Sequence, residues 1–147
     1  MTGKQKMIQI AVIMLLSVIA MTRNEIWRGG DKTLWEDVVH KSPLKPRPYM
    51  ALGVYHNSIG NYDRALRDYS VAIESASKKI GQGEDLAGSL DIMSAAQSNI
   101  SVVLMHSGRY KEAEDILKAT LRLNPGFPGA SVNLGNLYIA LKRYPEA

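Results

Sequence analysis

The pattern of hydrophobic and polar positions divides the chain into an apolar N-terminal run and a longer amphipathic part. Residues 7–22 carry no charged side chain. Beyond them, apolar residues recur at the three- and four-residue spacing of helices that bury one face. The first such helix is predicted over about residues 32–41, where one apolar face is formed by Leu34, Trp35, Val38 and Val39. The pattern therefore predicts an all-α fold with an apolar helix at its N-terminus.

The apolar run is close to the length that a membrane span requires. Its sixteen residues would cover roughly 24 Å as a helix, against about 30 Å for a bilayer core. The side chains of Lys6 and Arg23 can extend the span by reaching the polar interface. We therefore expect residues 1–23 to form a transmembrane or signal-anchor helix, as a single anchor or as the last span of a larger protein. A cleaved signal peptide and a buried soluble helix are the alternatives, and the flanking charges do not fix an orientation.

A short string occurs three times in the rest of the chain, twice in shortened form. The first copy reads Gly-x-Tyr-x-x-Ala-x-x-x-Tyr-x-x-Ala over residues 60–72. Its first half returns at residues 108–113, and a partial copy occupies residues 142–147. On a 34-residue frame with the turn glycine at position 15, the units start at Pro46, Ser94 and Pro128. The last step is 128 − 94 = 34 and the first is 94 − 46 = 48, so fourteen residues are inserted between the first and second units.

The frame also predicts the organisation of the chain. A linker and half-repeat helix are expected over residues 24–45, and a repeat array over residues 46–147. Within the array, the units span residues 46–79, 94–127 and 128–147, and the insert spans residues 80–93. We expect the insert to form a loop and an N-terminal extension of the next helix, capped by Asp85 or Glu84. The third unit stops about four residues into its second helix, too short to pack, so we expect the natural chain to continue.

These repeated residues resemble those of tetratricopeptide (TPR) repeat proteins. Each unit has a small residue at position 8 (Gly53, Ser101 and Gly135) and an alanine at position 20 (Ala65, Ala113 and Ala147). The second unit closes with Asn124-Pro125-Gly126, as such units usually close. The resemblance implies helix hairpins that stack into a solenoid, in which the small residues let two helices approach within about 8–10 Å.

The resemblance also implies a partner-binding groove lined by the first helix of each unit, at positions 2, 5, 9 and 12. In this chain, those positions hold Arg47, Met50, Val54, Asn57, Ala95, Ser98, Val102, Met105, Gly129, Val132, Asn136 and Ile139. Some family members clamp a terminal carboxylate with lysine at 5 and asparagine at 9, where the first unit has Met50 and Val54, so that clamp is not supported. A partly apolar lining with methionine suits an adaptable protein or peptide partner. The alternative is that these residues only pack against neighbouring helices.

A second resemblance concerns the junction between the apolar run and the repeats. Arg23, Asn24 and Trp27, followed by Leu34-Trp35 and Lys41-Ser42-Pro43, are similar to the junction in large membrane proteins that join a multi-span glycosyltransferase-like part to TPR units. The similarity implies that the repeats lie on the periplasmic or lumenal side of a membrane. Two functions are therefore expected: a membrane-tethered TPR scaffold, or the non-catalytic C-terminal part of a multi-span glycosyltransferase-like enzyme.

Composition and spacing give no indication of catalysis in this segment. The chain has no cysteine, which excludes disulfides, thiolate zinc sites and a cysteine nucleophile. Its histidines, His40, His56 and His106, have no metal-ligand spacing, and the glycines of the insert lack the lysine of a phosphate-binding loop. The 18 basic and 14 acidic residues form no basic stripe that would indicate nucleic-acid binding. We therefore expect a non-enzymatic segment without cofactor or metal.

Overall fold

A computed structural model of the chain describes residues 32–142, and every regular element within that range is an α-helix. Helix α1 covers residues 32–41, as the sequence pattern predicts. It is followed by α2 (Pro46–Ser58), α3 (Tyr62–Gly81), α4 (Leu86–His106), α5 (Tyr110–Leu123) and α6 (Pro128–Ala140). Helices α2 to α6 belong to one compact unit.

Three of the sequence predictions fall outside the described residues. They are the predicted membrane segment, residues 7–22, the junction residues Arg23, Asn24 and Trp27, and the third copy of the repeated string beyond Lys142. Within residues 32–142, none of the helices has the length and apolar character that crossing a membrane requires.

The same left-handed turn recurs at position 15 of all three units. Gly60, Gly108 and Lys142 have φ angles of 74°, 72° and 57°. The backbone N–H of each donates to the carbonyl three residues earlier, at N···O distances of 3.0, 3.1 and 3.0 Å. Glycine occupies two of these positions because it adopts positive φ without the steric cost that a Cβ brings. Because the turn occurs at position 15 both before and after the insert, its positions agree with the predicted 34-residue frame.

Alanine at position 20 is a point of close contact in both complete hairpins. Ala65 and Ala113 are fully buried. The first core cluster of the array contains Ala65 with Tyr69, Ala96 and Val103. The second core cluster contains Ala113 with Leu104, Leu117, Ala130 and Leu137. Each cluster joins helices of successive units, because a single hairpin cannot cover its own apolar face.

The insert lengthens two helices and leaves a short turn between them. Residues 80 and 81 complete α3, and α4 begins at Leu86, which is 94 − 86 = 8 residues before the second unit of the frame. The Asp85 side chain accepts a hydrogen bond from the Gly88 N–H at 3.2 Å and so caps α4. The predicted loop and N-terminal extension are confirmed, with Asp85 as the cap.

Alternate helices form two layers. In addition to the contacts between successive helices, α2 contacts α4 and α4 contacts α6, whereas α3 and α5 do not contact each other. The spacing between units is therefore smaller along α2, α4 and α6 (the inner layer) than along α3 and α5 (the outer layer). A stack with this difference curves toward the inner layer, which becomes the concave side.

Candidate functional site

The inner layer exposes apolar side chains at predicted groove positions. Val54 on α2 is 51% exposed, and Val132 and Ile139 on α6 are 60% and 53% exposed. The side chains of Arg47 and Asn136 are also exposed, whereas Asn57 and Val102 are half-buried. Aliphatic surface of this kind is unfavourable in water and becomes favourable when a partner covers it.

A cleft of about 680 Å³ lies at the end of the inner layer where α2, α4 and α6 begin. Helix α2 contributes Arg47 and Met50, and α4 contributes Asp91, Ile92 and Ala95. The turn between α5 and α6 closes the cleft with Asn124 and Phe127. The structure thus brings Arg47, Met50 and Ala95, all predicted groove residues, into one concave site.

Hydrogen bonds fix the wall that α4 and the α5–α6 turn share. The Asn124 side-chain amide donates to Asp91 Oδ1 and to Ser94 Oγ, both at 3.2 Å. Phe127 is half-buried and packs against the second core cluster. The cleft is therefore held by the fold in the absence of a ligand, which reduces the ordering cost of binding.

Ser98, a predicted groove residue, is buried between helices. It is only 4% exposed, and its Oγ accepts a hydrogen bond from the Asn133 side chain at 2.9 Å. Ser98 therefore joins α4 to α6 and does not line the groove. Met105 is half-buried against the second core cluster, so it contributes mainly to packing between units.

Seven residues of the cleft are not among the predicted groove residues: Gly88, Asp91, Ile92, Asn124, Gly126, Phe127 and Pro128. The 34-residue frame has no position for Asp91 and Ile92, because they belong to the insert. It places Asn124 and Phe127 at the end of the second unit, away from the first helices. The N-cap at Asp85 predicts about two extra turns at the start of α4. Those turns contain Asp91 and Ile92, so the cap was the signal in the sequence that could have identified these two residues.

Two histidines of the array take part in helix contacts. His56 Nδ1 lies 2.6 Å from Asp68 Oδ2 and joins α2 to α3. The His106 ring stacks on Tyr62 with centroids 5.8 Å apart. Among residues 32–142, no group of three or more histidine, aspartate and glutamate side chains is placed to hold a metal ion.

The pKa shifts of charged groups arise at helix-surface pairs outside the cleft. The hydrogen bond and the charge of Lys78 lower the pKa of Glu74 on α3. On α5, the hydrogen bond to Glu114 is the largest cause that raises the pKa of Lys118. None of these residues lines the cleft, so the electrostatics of the cleft depend on Arg47 and Asp91.

Comparison with known proteins identifies the repeat in the C-terminal part of the chain. Residues 104–147 match the family model of the tetratricopeptide repeat. The match starts near the end of α4 and includes α5 and α6. The chain has no match among curated proteins. Tetratricopeptide repeats generally mediate protein–protein interaction and are typically non-catalytic scaffolds.

Proposed function

We propose that the chain is a protein-interaction module that binds an extended segment of a partner along its inner layer. The observation that carries this proposal is the exposure of Val54, Val132 and Ile139 on α2 and α6, together with the preformed cleft where these helices begin. Apolar contacts supply the driving force for such binding, and polar groups around them fix the orientation. The amides of Asn57 and Asn136 supply donors and acceptors for the backbone of a bound segment.

The test compares a variant in which exposed inner-layer residues are replaced by glutamate with a variant in which exposed residues outside the inner-layer helices are replaced by glutamate. Peptides are first selected on the full 147-residue chain from a random dodecapeptide display library, and their affinity is measured by fluorescence anisotropy. The double variant Val54→Glu, Val132→Glu replaces two exposed valines, so the fold is retained. We expect it to weaken peptide binding at least about tenfold, because it places two charges in an apolar contact.

The matched control is the double variant Ile59→Glu, Leu123→Glu. Both side chains are exposed, at 57% and 45%, and neither belongs to an inner-layer helix. We expect the control to bind the peptides with unchanged affinity and both variants to keep wild-type helicity by circular dichroism. Equal affinity of the two double variants would contradict the proposal.

We also propose that residues 7–22 tether the module to a membrane, with the repeats on the extracytoplasmic side. The proposal is supported by the sixteen uncharged residues and the basic residues that flank them. Carbonate extraction of membranes tests the tether. The full chain should stay in the membrane pellet, a variant that lacks residues 7–22 should be released, and release of both would contradict the tether. The repeats should resist protease added to the cytosolic side, and cleavage would contradict the proposed orientation.

The glycosyltransferase-like alternative stays a prediction from the junction residues. It requires further apolar spans upstream of Met1 in the genomic reading frame. A ribosome-binding site directly before Met1 would contradict it.

A further inference from the structure

We infer that the cleft sets the register of the bound partner by accepting an acidic side chain at Arg47 and a neighbouring large apolar side chain against Met50, Ile92 and Phe127. The inference rests on the proposed function, because it specifies the partner chemistry that the groove selects. It concerns the part of the inner layer that the insert builds, where α4 extends beyond the regular repeat.

Arg47 supplies a cation that the fold leaves available. Its side chain is exposed and forms no hydrogen bond or ion pair with another residue in the range 32–142. Lys41 and Lys111, by contrast, each hold a carboxylate of their own helix. Arg47 is also the single basic residue among those that line the cleft. A free guanidinium offers a planar set of donors that matches the two oxygens of a carboxylate.

Asp91 determines where in the cleft an acidic group is accepted. It is the single acidic residue of the lining, and its Oδ1 already accepts a hydrogen bond from Asn124. Arg47 belongs to α2 and Asp91 to α4, so the two charges occupy different walls of the cleft. A ligand carboxylate is attracted to the α2 wall and repelled from the α4 wall, which gives the bound segment a preferred position.

The remaining lining accepts apolar side chains. Met50, Ile92 and Phe127 are half-buried, and methionine adapts its shape to different neighbours. The cleft volume of about 680 Å³ falls within the range of about 300–1,000 Å³ that is typical of ligand sites. A site of that size holds a few side chains of an extended polypeptide. A single free arginine does not neutralise a phosphate backbone, which argues against a nucleic acid.

The required carboxylate belongs to a side chain in this inference, although a chain terminus offers the same chemistry. Peptides are therefore prepared with amidated C-termini, and a second set carries a free C-terminus with glutamine in place of each acidic residue. The first set should bind to the full chain and the second should bind about tenfold more weakly. The reverse order would overturn the assignment to a side chain.

Charge reversal tests Arg47 directly. The variant Arg47→Glu should bind the acidic peptides about tenfold more weakly and should prefer peptides in which lysine replaces the acidic residue. The control is Arg67→Glu, which reverses an exposed arginine on outer-layer helix α3 and should leave both affinities unchanged. An Arg47→Glu variant that behaves like Arg67→Glu would overturn the inference.

A second pair of variants tests the apolar part of the cleft. Ile92 lies outside both core clusters, so Ile92→Gln changes the lining while the fold is retained. The control Leu86→Gln alters an exposed leucine on the same extension of α4 that does not line the cleft. We expect Ile92→Gln to weaken binding about tenfold and Leu86→Gln to leave it unchanged. Equal affinities of these two variants would contradict the apolar contact.

The outcomes separate this inference from the proposed function. If Val54→Glu, Val132→Glu abolishes binding while Arg47→Glu and Ile92→Gln do not, the groove binds partners and the register site is wrong. If neither set of variants changes binding, or if the library yields no peptide that binds, both the inference and the proposed function are wrong.

Discussion

At the scale of single residues, the contact between Gly53 and Tyr69 determines how closely α2 and α3 pack. Gly53 is buried on α2, and Tyr69 is fully buried on α3. A Cβ atom added at Gly53 would lie 2.6 Å from Tyr69 Cδ1, well inside van der Waals contact. The small residue that the repeat places at position 8 is thus a steric requirement of this hairpin.

We predict that Gly53→Ala lowers the free energy of unfolding by about 1–3 kcal/mol, because the added methyl group overpacks the interface. Gly81→Ala is the matched control, since Gly81 is also helical and has no neighbouring atom within 4 Å of an added Cβ. Alanine there should be neutral or slightly stabilising. Urea unfolding measures both, and equal stabilities would contradict the steric argument.

The buried Tyr69 should also make the folded chain less stable at alkaline pH. Burial, followed by the charge of Asp68, raises the pKa of Tyr69 from 10.0 to about 12. The unfolded chain therefore loses this proton at a lower pH than the folded chain does. The contribution of Tyr69 to the free energy of unfolding is therefore fully present below pH 10. It is lost as the pH rises toward 12, by about 2–3 kcal/mol in total.

Tyr69→Phe should remove that alkaline loss. The variant should also be more stable than the wild type at neutral pH, by up to about 1 kcal/mol, because the buried Tyr69 hydroxyl has no hydrogen-bond partner among the described residues. Tyr110→Phe, at a 41% exposed position, should leave the alkaline loss unchanged. Urea unfolding from pH 8 to 12 measures these differences, and parallel pH profiles for the wild type and Tyr69→Phe would refute the assignment.

At the scale of elements, the insert functions as a structural extension of α4 because Asp85 starts the helix early. Asp85 has a φ of 40°, in the left-handed region, and its side chain caps the helix through Gly88. Asn124 then holds the extension through Asp91 and Ser94. The extended helix end, the cleft and the α5–α6 turn therefore depend on one another.

We predict that Asp85→Ala frays the first two turns of α4 and costs about 1–2 kcal/mol, since it removes the cap and keeps an unfavourable φ. Asp85→Asn should stay close to the wild type, because asparagine both caps helices and tolerates the left-handed region. Hydrogen exchange of the amides of residues 88–93 measures the fraying. Equal exchange rates in the two variants would show that the cap does not hold the extension.

The helices themselves follow from local sequence patterns, whereas the cleft does not. The turn glycines Gly60 and Gly108 and the buried Ala65 and Ala113 repeat at fixed positions, so a single register predicts the hairpins. The cleft depends on the contact of Asn124 with Asp91, which are 33 residues apart, one at the end of α5 and the other in the part of α4 that the insert builds. The packing of α4 against α5 and the turn that follows it creates this contact, and no local pattern specifies it. Ser98 shows the same limit, because its register position does not reveal the Asn133 amide that buries it.

At the scale of the whole molecule, the difference between the layers connects the repeat to the proposed function. Contacts along α2, α4 and α6, without contact between α3 and α5, produce a concave side. The inner-layer helices expose Val54, Val132 and Ile139 and form the cleft beside Arg47. We propose that a partner segment binds to this inner layer.

Methyl NMR of the full chain with and without a selected peptide shows which helices contact the peptide. We predict chemical-shift changes at the methyl groups of Met50, Val54, Ile92 and Val132, all on inner-layer helices. The methyl groups of Ile73 on α3 and Ile116 on α5 should keep their positions. Shifts concentrated at Ile73 and Ile116, with the inner-layer methyl groups unchanged, would contradict binding to the inner layer.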